Sequence, residues 1–155
     1  MTPAVHRIRK AGVAFRIHEY RHDPSWSSYG MEAAAKLGVD AGRVFKTLLV
    51  RLDPFGFALA VIPVEAMLSM KSVAKAAGSK KAEMARPEDV QRITGYVLGG
   101  VSPIGQKTDL VTVIDASAEN FASIFVSAGR RGLDLELSPE DLKALTSGTF
   151  AGLCQ

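Results

Sequence analysis

Thiols are almost missing from this chain. One cysteine, Cys154, stands among 155 residues, so no internal disulfide can form, and a reducing, cytoplasmic setting is expected. A nucleophilic role for Cys154 is not expected either, because it sits at a tail and tails are usually poorly ordered. Histidines number three. His18 and His22 are four apart, but their segment reads as strand then turn and no third ligand stands at a familiar spacing, so no metal site is expected. No apolar run reaches the length of a membrane span, and the opening Met1-Thr2-Pro3-Ala4-Val5-His6 has no signal-peptide core. Charge of one sign is scarce as well. Nineteen basic against 16 acidic residues leave a net charge of +3, less than a dedicated nucleic-acid binder carries. The basic clusters Arg7-Ile8-Arg9-Lys10, Lys80-Lys81 and Arg130-Arg131 each read as a solvated face; together they allow a few phosphate contacts. Linkers, repeats and low-complexity stretches are absent, which predicts one domain over residues 1–155.

What the chain does have is apolar content, 47% against 23% charged, the balance of a folded globular domain. Thr2-Pro3 is an N-cap and first-turn proline ahead of Val5, Ile8 and Ala11 at helical spacing, with Gly12 to close the helix. Phe15 to Tyr20 alternates as a strand with one buried face. Ser28 caps a short helix stopped by Gly38. Phe45 to Leu52 is an apolar strand, and the turn Asp53-Pro54-Phe55-Gly56 sends Phe57 to Ile62 back antiparallel. Helices follow at Ser69 to Ala77 and from Pro87 to Gly95, strands at Tyr96 to Leu98, Val111 to Ile114, Ser123 to Ser127 and Leu133 to Leu137, and a last helix from Ser138. Seven strands and five or six helices in irregular order lack the rhythm of a doubly wound fold. The expected fold is α+β, a single domain with a mixed, mostly antiparallel, curled or barrel-like sheet and short helices outside.

The stretch Gly95 to Lys107 is the chain's strongest local signal. Paired Gly99 and Gly100, Ser102-Pro103 and Gly105 predict a rigid loop at a strand end with exposed N–H groups and one hydroxyl. Such a loop is a plain turn or a cradle for a carbonyl oxygen or anion. It is no nucleotide-binding P-loop, since the Gly-Lys-Ser/Thr ending is missing. Lys46 is the second signal. It shares a strand side with Leu48 and Val50, and a lysine there either snorkels from the strand end or stands as a cation in a pocket. Asp134 and Glu136 share a face of the last strand, which is solvent-facing in a flat sheet and cavity-lining in a curled one, where Asp134 can bind an amino group. Tyr20 closes its strand as a core or site residue.

Phe45-Lys46-Thr47-Leu48-Leu49-Val50, Gly95 through Gly105, and Gly129-Arg130-Arg131-Gly132-Leu133-Asp134-Leu135-Glu136-Leu137, in that order and spacing, resemble the YbaK family of aminoacyl-tRNA deacylases. The stretches Ile17-His18-Glu19-Tyr20 and Lys80-Lys81-Ala82-Glu83-Met84 fit as well, and the likeness runs from Met1 to about Phe150. The resemblance implies a compact domain akin to the editing insertion of prolyl-tRNA synthetases, no cofactor, and hydrolysis of cysteine mischarged onto proline tRNA, with aminoacyl-tRNA and prolyl-tRNA synthetase as partners. By the same likeness Lys46, Gly99 and Ser102 match the family's catalytic positions, and Tyr20, Tyr29, Thr47, Gly100, Pro103 and Asp134 its substrate pocket. Tyr29 stands where relatives carry phenylalanine. The family's chemistry is substrate-assisted: the cysteine thiol attacks its own carbonyl and leaves as a cyclic thiolactone. Two other readings remain open, an Ala-tRNA deacylase that uses water and a non-catalytic tRNA- or synthetase-binding module. Oligomeric state has no signature in the chain.

Overall fold

The computed structural model describes all 155 residues. Local chemistry sets the helix ends. Thr2 caps α1 (Pro3–Ala11) by accepting from the Val5 amide at 3.2 Å. Ser28 caps α2 (Tyr29–Leu37) at the Met31 amide, Ser69 caps α3 (Met70–Ala76) at Ser72, and Ser138 caps α5 (Pro139–Thr146) at Asp141. Between the last two, α4 (Pro87–Thr94) starts on its proline with Glu88 and Asp89 in the first turn. Each cap satisfies an amide that the helix itself leaves unpaired.

Eight strands form two open sheets. The smaller holds β1 (Phe15–Glu19), β7 (Leu133–Leu137) and β6 (Ile124–Arg130) in that order, all antiparallel. The larger runs β4 (Lys81–Met84), β2 (Phe45–Asp53), β3 (Phe57–Pro63), β5 (Val111–Asp115), β8 (Thr149–Ala151). Its β4, β2 and β3 are antiparallel, whereas β3–β5 and β5–β8 are parallel. A parallel bridge between Val44 and Phe125 joins the two sheets. The sheet is thus mixed and split, and it does not close into a barrel. The main core, with Ile8, Leu59, Ile114, Ile124, Leu135 and Leu142 almost fully buried, lies between the sheets and under α1, α4 and α5. A second cluster of Val50, Ala60, Ile62, Val73 and Leu153 covers the other face of the larger sheet.

The structure departs from the sequence expectations at three places. Tyr96 to Leu98 is not a strand. The helix-closing Gly95 (φ 82°) leads straight into a turn in which the Gly100 amide donates to the Val97 carbonyl, and Val97 and Leu98 stay 49% and 57% exposed. Two strands were not expected. The β4 segment reads as polar surface because it is an edge strand carrying charge, which protects an edge from foreign pairing; β8 is three residues long and owes its existence to a distant partner, β5. The C-terminal tail is not loose. Leu153 is fully buried, its amide donates to Asp115 Oδ1 at 2.9 Å, Cys154 bridges Leu68, and the Gln155 amide reaches the Met67 carbonyl.

Candidate active site

The site begins with a gap in strand pairing. β4 pairs with β2 only from Val50 to Asp53, and Ala85 adds one bond to the Leu49 carbonyl. Residues 45–48 therefore form a free strand edge. Alternation sends Phe45, Thr47 and Leu49 to one side of β2 and Lys46 and Leu48 to the other. A cavity of about 350 Å³ touches both sets, because it wraps this edge. Across from β2 the cavity is bounded by Tyr20, the first turn of α2 with Tyr29, the loop at Leu98–Gly99, and β6–β7 with Ser127 and Asp134.

Four polar groups of the cavity have unusual environments. Lys46 is half-buried, and burial lowers its ammonium pKa, with a smaller opposing effect from Cys154. None of the chain's ion pairs includes it. Asp134 is 6% exposed, and burial alone pushes its carboxyl up to about 7. Tyr20 is its neighbour: burial first, then the Asp134 charge, raises the phenol to about 12. Thr47 is 9% exposed and its Oγ1 has no hydrogen-bond partner. A buried hydroxyl without a partner costs stability, so a ligand group is the natural partner for it.

The structure brings six of the nine sequence-derived candidates to the cavity: Tyr20, Tyr29, Lys46, Thr47, Gly99 and Asp134. It leaves Gly100, Ser102 and Pro103 out of the lining; all three are buried behind it. The expected exposed hydroxyl of the loop is turned inward. Ser102 is 0% exposed and its Oγ accepts from the Ile104 amide at 3.3 Å. Buried Tyr96 braces the same loop by donating from its hydroxyl to the Ile104 carbonyl at 2.7 Å. Gly99 and Gly100 do different jobs. Gly99 has φ 89°, and a Cβ there would lie 2.4 Å from the Tyr29 ring; at Gly100 a Cβ would come within 3.0 Å of the Arg130 backbone.

Residues that sequence reasoning missed include Ser127 and Arg131. Both belong to a bulged β6–β7 corner where the register shifts between Ser127 and Arg130 and the Gly129 amide donates to Ser127 Oγ at 3.1 Å. A bulge re-aims side chains, and only the glycines of the Gly129–Gly132 stretch hint at it. The pattern of the last strand is settled in favour of curvature: Asp134 faces the cavity, while Glu136 pairs with His18, Ser123 and Arg43.

No hydroxyl of a cavity-lining serine or threonine is hydrogen-bonded to a histidine or a carboxylate. His18 is engaged with Glu136, and His22 with Glu32 at 2.6 Å. Cys154, which lies near Lys46, is pushed up to about 11 by burial first and then by Asp115, so it stays a thiol. No group of three or more His, Cys, Asp or Glu side chains is placed to hold a metal ion.

Residues 25–145 match the aminoacyl-tRNA editing domain family. The chain is 39% identical over 153 residues to EbsC of Enterococcus faecalis, a candidate Cys-tRNA(Pro)/Cys-tRNA(Cys) deacylase, covering 97% of this chain and 91% of that one. YwhH of Bacillus subtilis, which is uncharacterised, is 32% identical over 125 residues, 80% of this chain and 79% of its own. Among solved structures, the hypothetical protein APE2540 superposes with a TM-score of 0.89 at 28% identity, covering 99% of this chain and all of that one. A candidate trans-editing enzyme for prolyl tRNA synthetase has the same fold, with a TM-score of 0.83 at 24% identity over 100% and 99% of the two chains. With this family model over most of its length and a relative 39% identical along nearly the whole chain, the chain belongs to the aminoacyl-tRNA editing domain family.

Proposed function

We propose that the protein is a trans-editing hydrolase that removes cysteine mischarged onto proline tRNA. Cysteine and proline have similar volumes, and a pocket shaped for one separates the two by only about 1–3 kcal/mol. A separate clearance of the error is therefore worth having. One observation carries the reading: the cavity joins an unpaired lysine, a buried carboxyl and an orphaned hydroxyl, yet holds no nucleophile with a base. Such a site can position an ester and stabilise charge, and it leaves the attack to the substrate.

The substrate thiol loses its proton to solvent, and the thiolate attacks its own ester carbonyl. A carbon–sulfur bond forms and the carbonyl oxygen takes the negative charge, within reach of the Lys46 ammonium. The carbonyl–ribose oxygen bond then breaks, and the ribose oxygen takes up a proton. The products are free tRNA and a cyclic thiolactone, which water later opens to cysteine. The thiolate is a strong nucleophile held at high effective concentration. Asp134 as a carboxylate holds the substrate ammonium, Tyr20 and Tyr29 wall the aminoacyl group, and Thr47 Oγ1 bonds a polar atom of the ester. Gly99 gives the ester room beside the loop; Gly100, Ser102 and Pro103 keep that loop rigid from behind. Prolyl-tRNA synthetase supplies tRNA selectivity.

The test is a panel of mischarged tRNAs, with and without prolyl-tRNA synthetase, sampled early by mass spectrometry. Thiolactone ahead of free cysteine from Cys-tRNA(Pro) is the expected result. Cleavage of Ala-tRNA(Pro) at the same rate, with no thiolactone, would replace this reading by a water-based deacylase, and tRNA binding without cleavage would reduce it to a binding module.

A further inference from the structure

Arg131 is surface-exposed and would pass for a phosphate contact, but its geometry ties it to the pocket wall. Its guanidinium carbon lies 4.0 Å from the centre of the Tyr29 ring, a stacked cation–π contact. Its Nη2 donates to the Leu98 carbonyl at 3.1 Å. Its Nε lies 2.9 Å from where a Cβ on Gly99 would sit. One side chain from the β6–β7 turn thus touches both the first turn of α2 and the glycine loop. The neighbouring Arg130, which also lines the cavity, pairs with Glu19 at 3.9 Å, whereas Arg131 forms no ion pair.

Tyr29 has a second contact that does not involve Arg131. His22 meets Tyr29 edge-on, with ring centres 5.3 Å apart. His22 is fixed by Glu32, a fully buried carboxylate that also accepts from the Asp23 amide and from Lys36, each at 2.7 Å. The loop before α2 is therefore anchored independently of Arg131. What Arg131 adds is the link across to the Leu98–Gly99 loop, which no strand or helix connects to Tyr29.

We propose that Arg131 is a positioning residue that locks Tyr29 and the Leu98–Gly99 loop together as one wall of the pocket, through a planar stack and a carbonyl bond that lysine cannot reproduce. The proposal rests on the deacylase reading for its kinetic part only. A planar guanidinium stacks on a ring and donates in the same plane, whereas an ammonium is a point charge on a flexible stem. Loosening the wall misplaces the ester relative to Lys46, and small misplacements are expensive in rate. The tyrosine hydroxyl takes no part, so phenylalanine serves equally well in the stack.

The experiment compares Arg131→Ala, Arg131→Lys, Tyr29→Ala, Tyr29→Phe and the double variant Arg131→Ala/Tyr29→Ala. Arg131→Ala and Arg131→Lys are each expected to lower kcat about tenfold with little change in KM. The double variant is no worse than Tyr29→Ala alone. The salt dependence of kcat/KM is unchanged in Arg131→Ala, whereas loss of a phosphate contact would reduce its slope by about one. In NMR the Arg131 Nε–H signal is shifted by the Tyr29 ring in the wild type and in Tyr29→Phe, and returns to the free-arginine position in Tyr29→Ala. That readout needs no activity, so an enzyme inactive on every aminoacyl-tRNA would remove the deacylase reading and leave this proposal to the NMR. Full rescue by lysine, multiplying effects in the double variant, or an unshifted Nε–H signal would overturn it.

Discussion

Asp134 is the residue at which stability and function pull apart. Its native carboxyl keeps its proton up to about 7 because it is buried, against a usual value of 3.8. The native state therefore binds the extra proton between those values. The stability this group contributes is complete below pH 3.8 and is lost as pH climbs through about 7. Asp134→Asn, which cannot ionise, is expected to melt higher than the wild type at pH 8, by an amount that vanishes near pH 4, while deacylation is lost. Melting curves of both proteins across that range check it, and a difference independent of pH would contradict it. Lys46 follows the same logic at the cationic end: Lys46→Ala should abolish deacylation in a protein that melts no lower than the wild type. Thr47→Val removes a hydroxyl that has no partner, so stability should hold or rise slightly while kcat/KM falls about tenfold. A large loss of melting temperature in Thr47→Val would mean that the hydroxyl is structural.

At the scale of elements, the Leu98–Gly99 loop and the C-terminal tail carry the clearest expectations. Gly99→Ala adds a Cβ at positive φ, 2.4 Å from the Tyr29 ring. Activity should fall steeply, with a stability loss of about 1 kcal/mol or more. Cys154→Ser should leave deacylation nearly intact, since the thiol is held un-ionised. Deleting residues 153–155 is different. It removes fully buried Leu153 and its bond to Asp115, and Leu-sized losses in a core cost about 2–5 kcal/mol. A clear drop in melting temperature is expected, and an unchanged one would mean the tail is dispensable. Helix ends were legible in the sequence because capping is local: Thr2, Ser28, Ser69 and Ser138 cap where their spacing says. The hairpin at Asp53 was legible for the same reason. The β4 edge, β8 and the docked tail were not, because each depends on a partner far along the chain. Tyr96 to Leu98 misled because its apolar residues serve a turn and the pocket mouth, not a sheet.

For the whole molecule, the site was read through the ordered motifs, which pointed to the strand of Lys46, the glycine loop and Asp134. The residues alone left open whether Asp134 faced solvent, and the split between two sheets decides it by turning β7 toward the cavity. They could not reveal that Ser102 turns inward or that Arg131 stacks on Tyr29, since both follow from how three loops meet. A net charge of +3 predicts weak binding of tRNA by the isolated protein, with a shallow dependence on salt; tight, tRNA-selective binding in a titration would contradict it. The central claim is that the cavity positions the ester and the substrate supplies the nucleophile. Single-turnover clearance of Cys-tRNA(Pro) against Ser-tRNA(Pro) tests it most directly, because the two side chains occupy the same space and differ in the attacking atom. Cysteine should be cleared far faster, since a few per cent of a thiol is already thiolate near neutral pH. Equal rates for serine and cysteine would contradict the account.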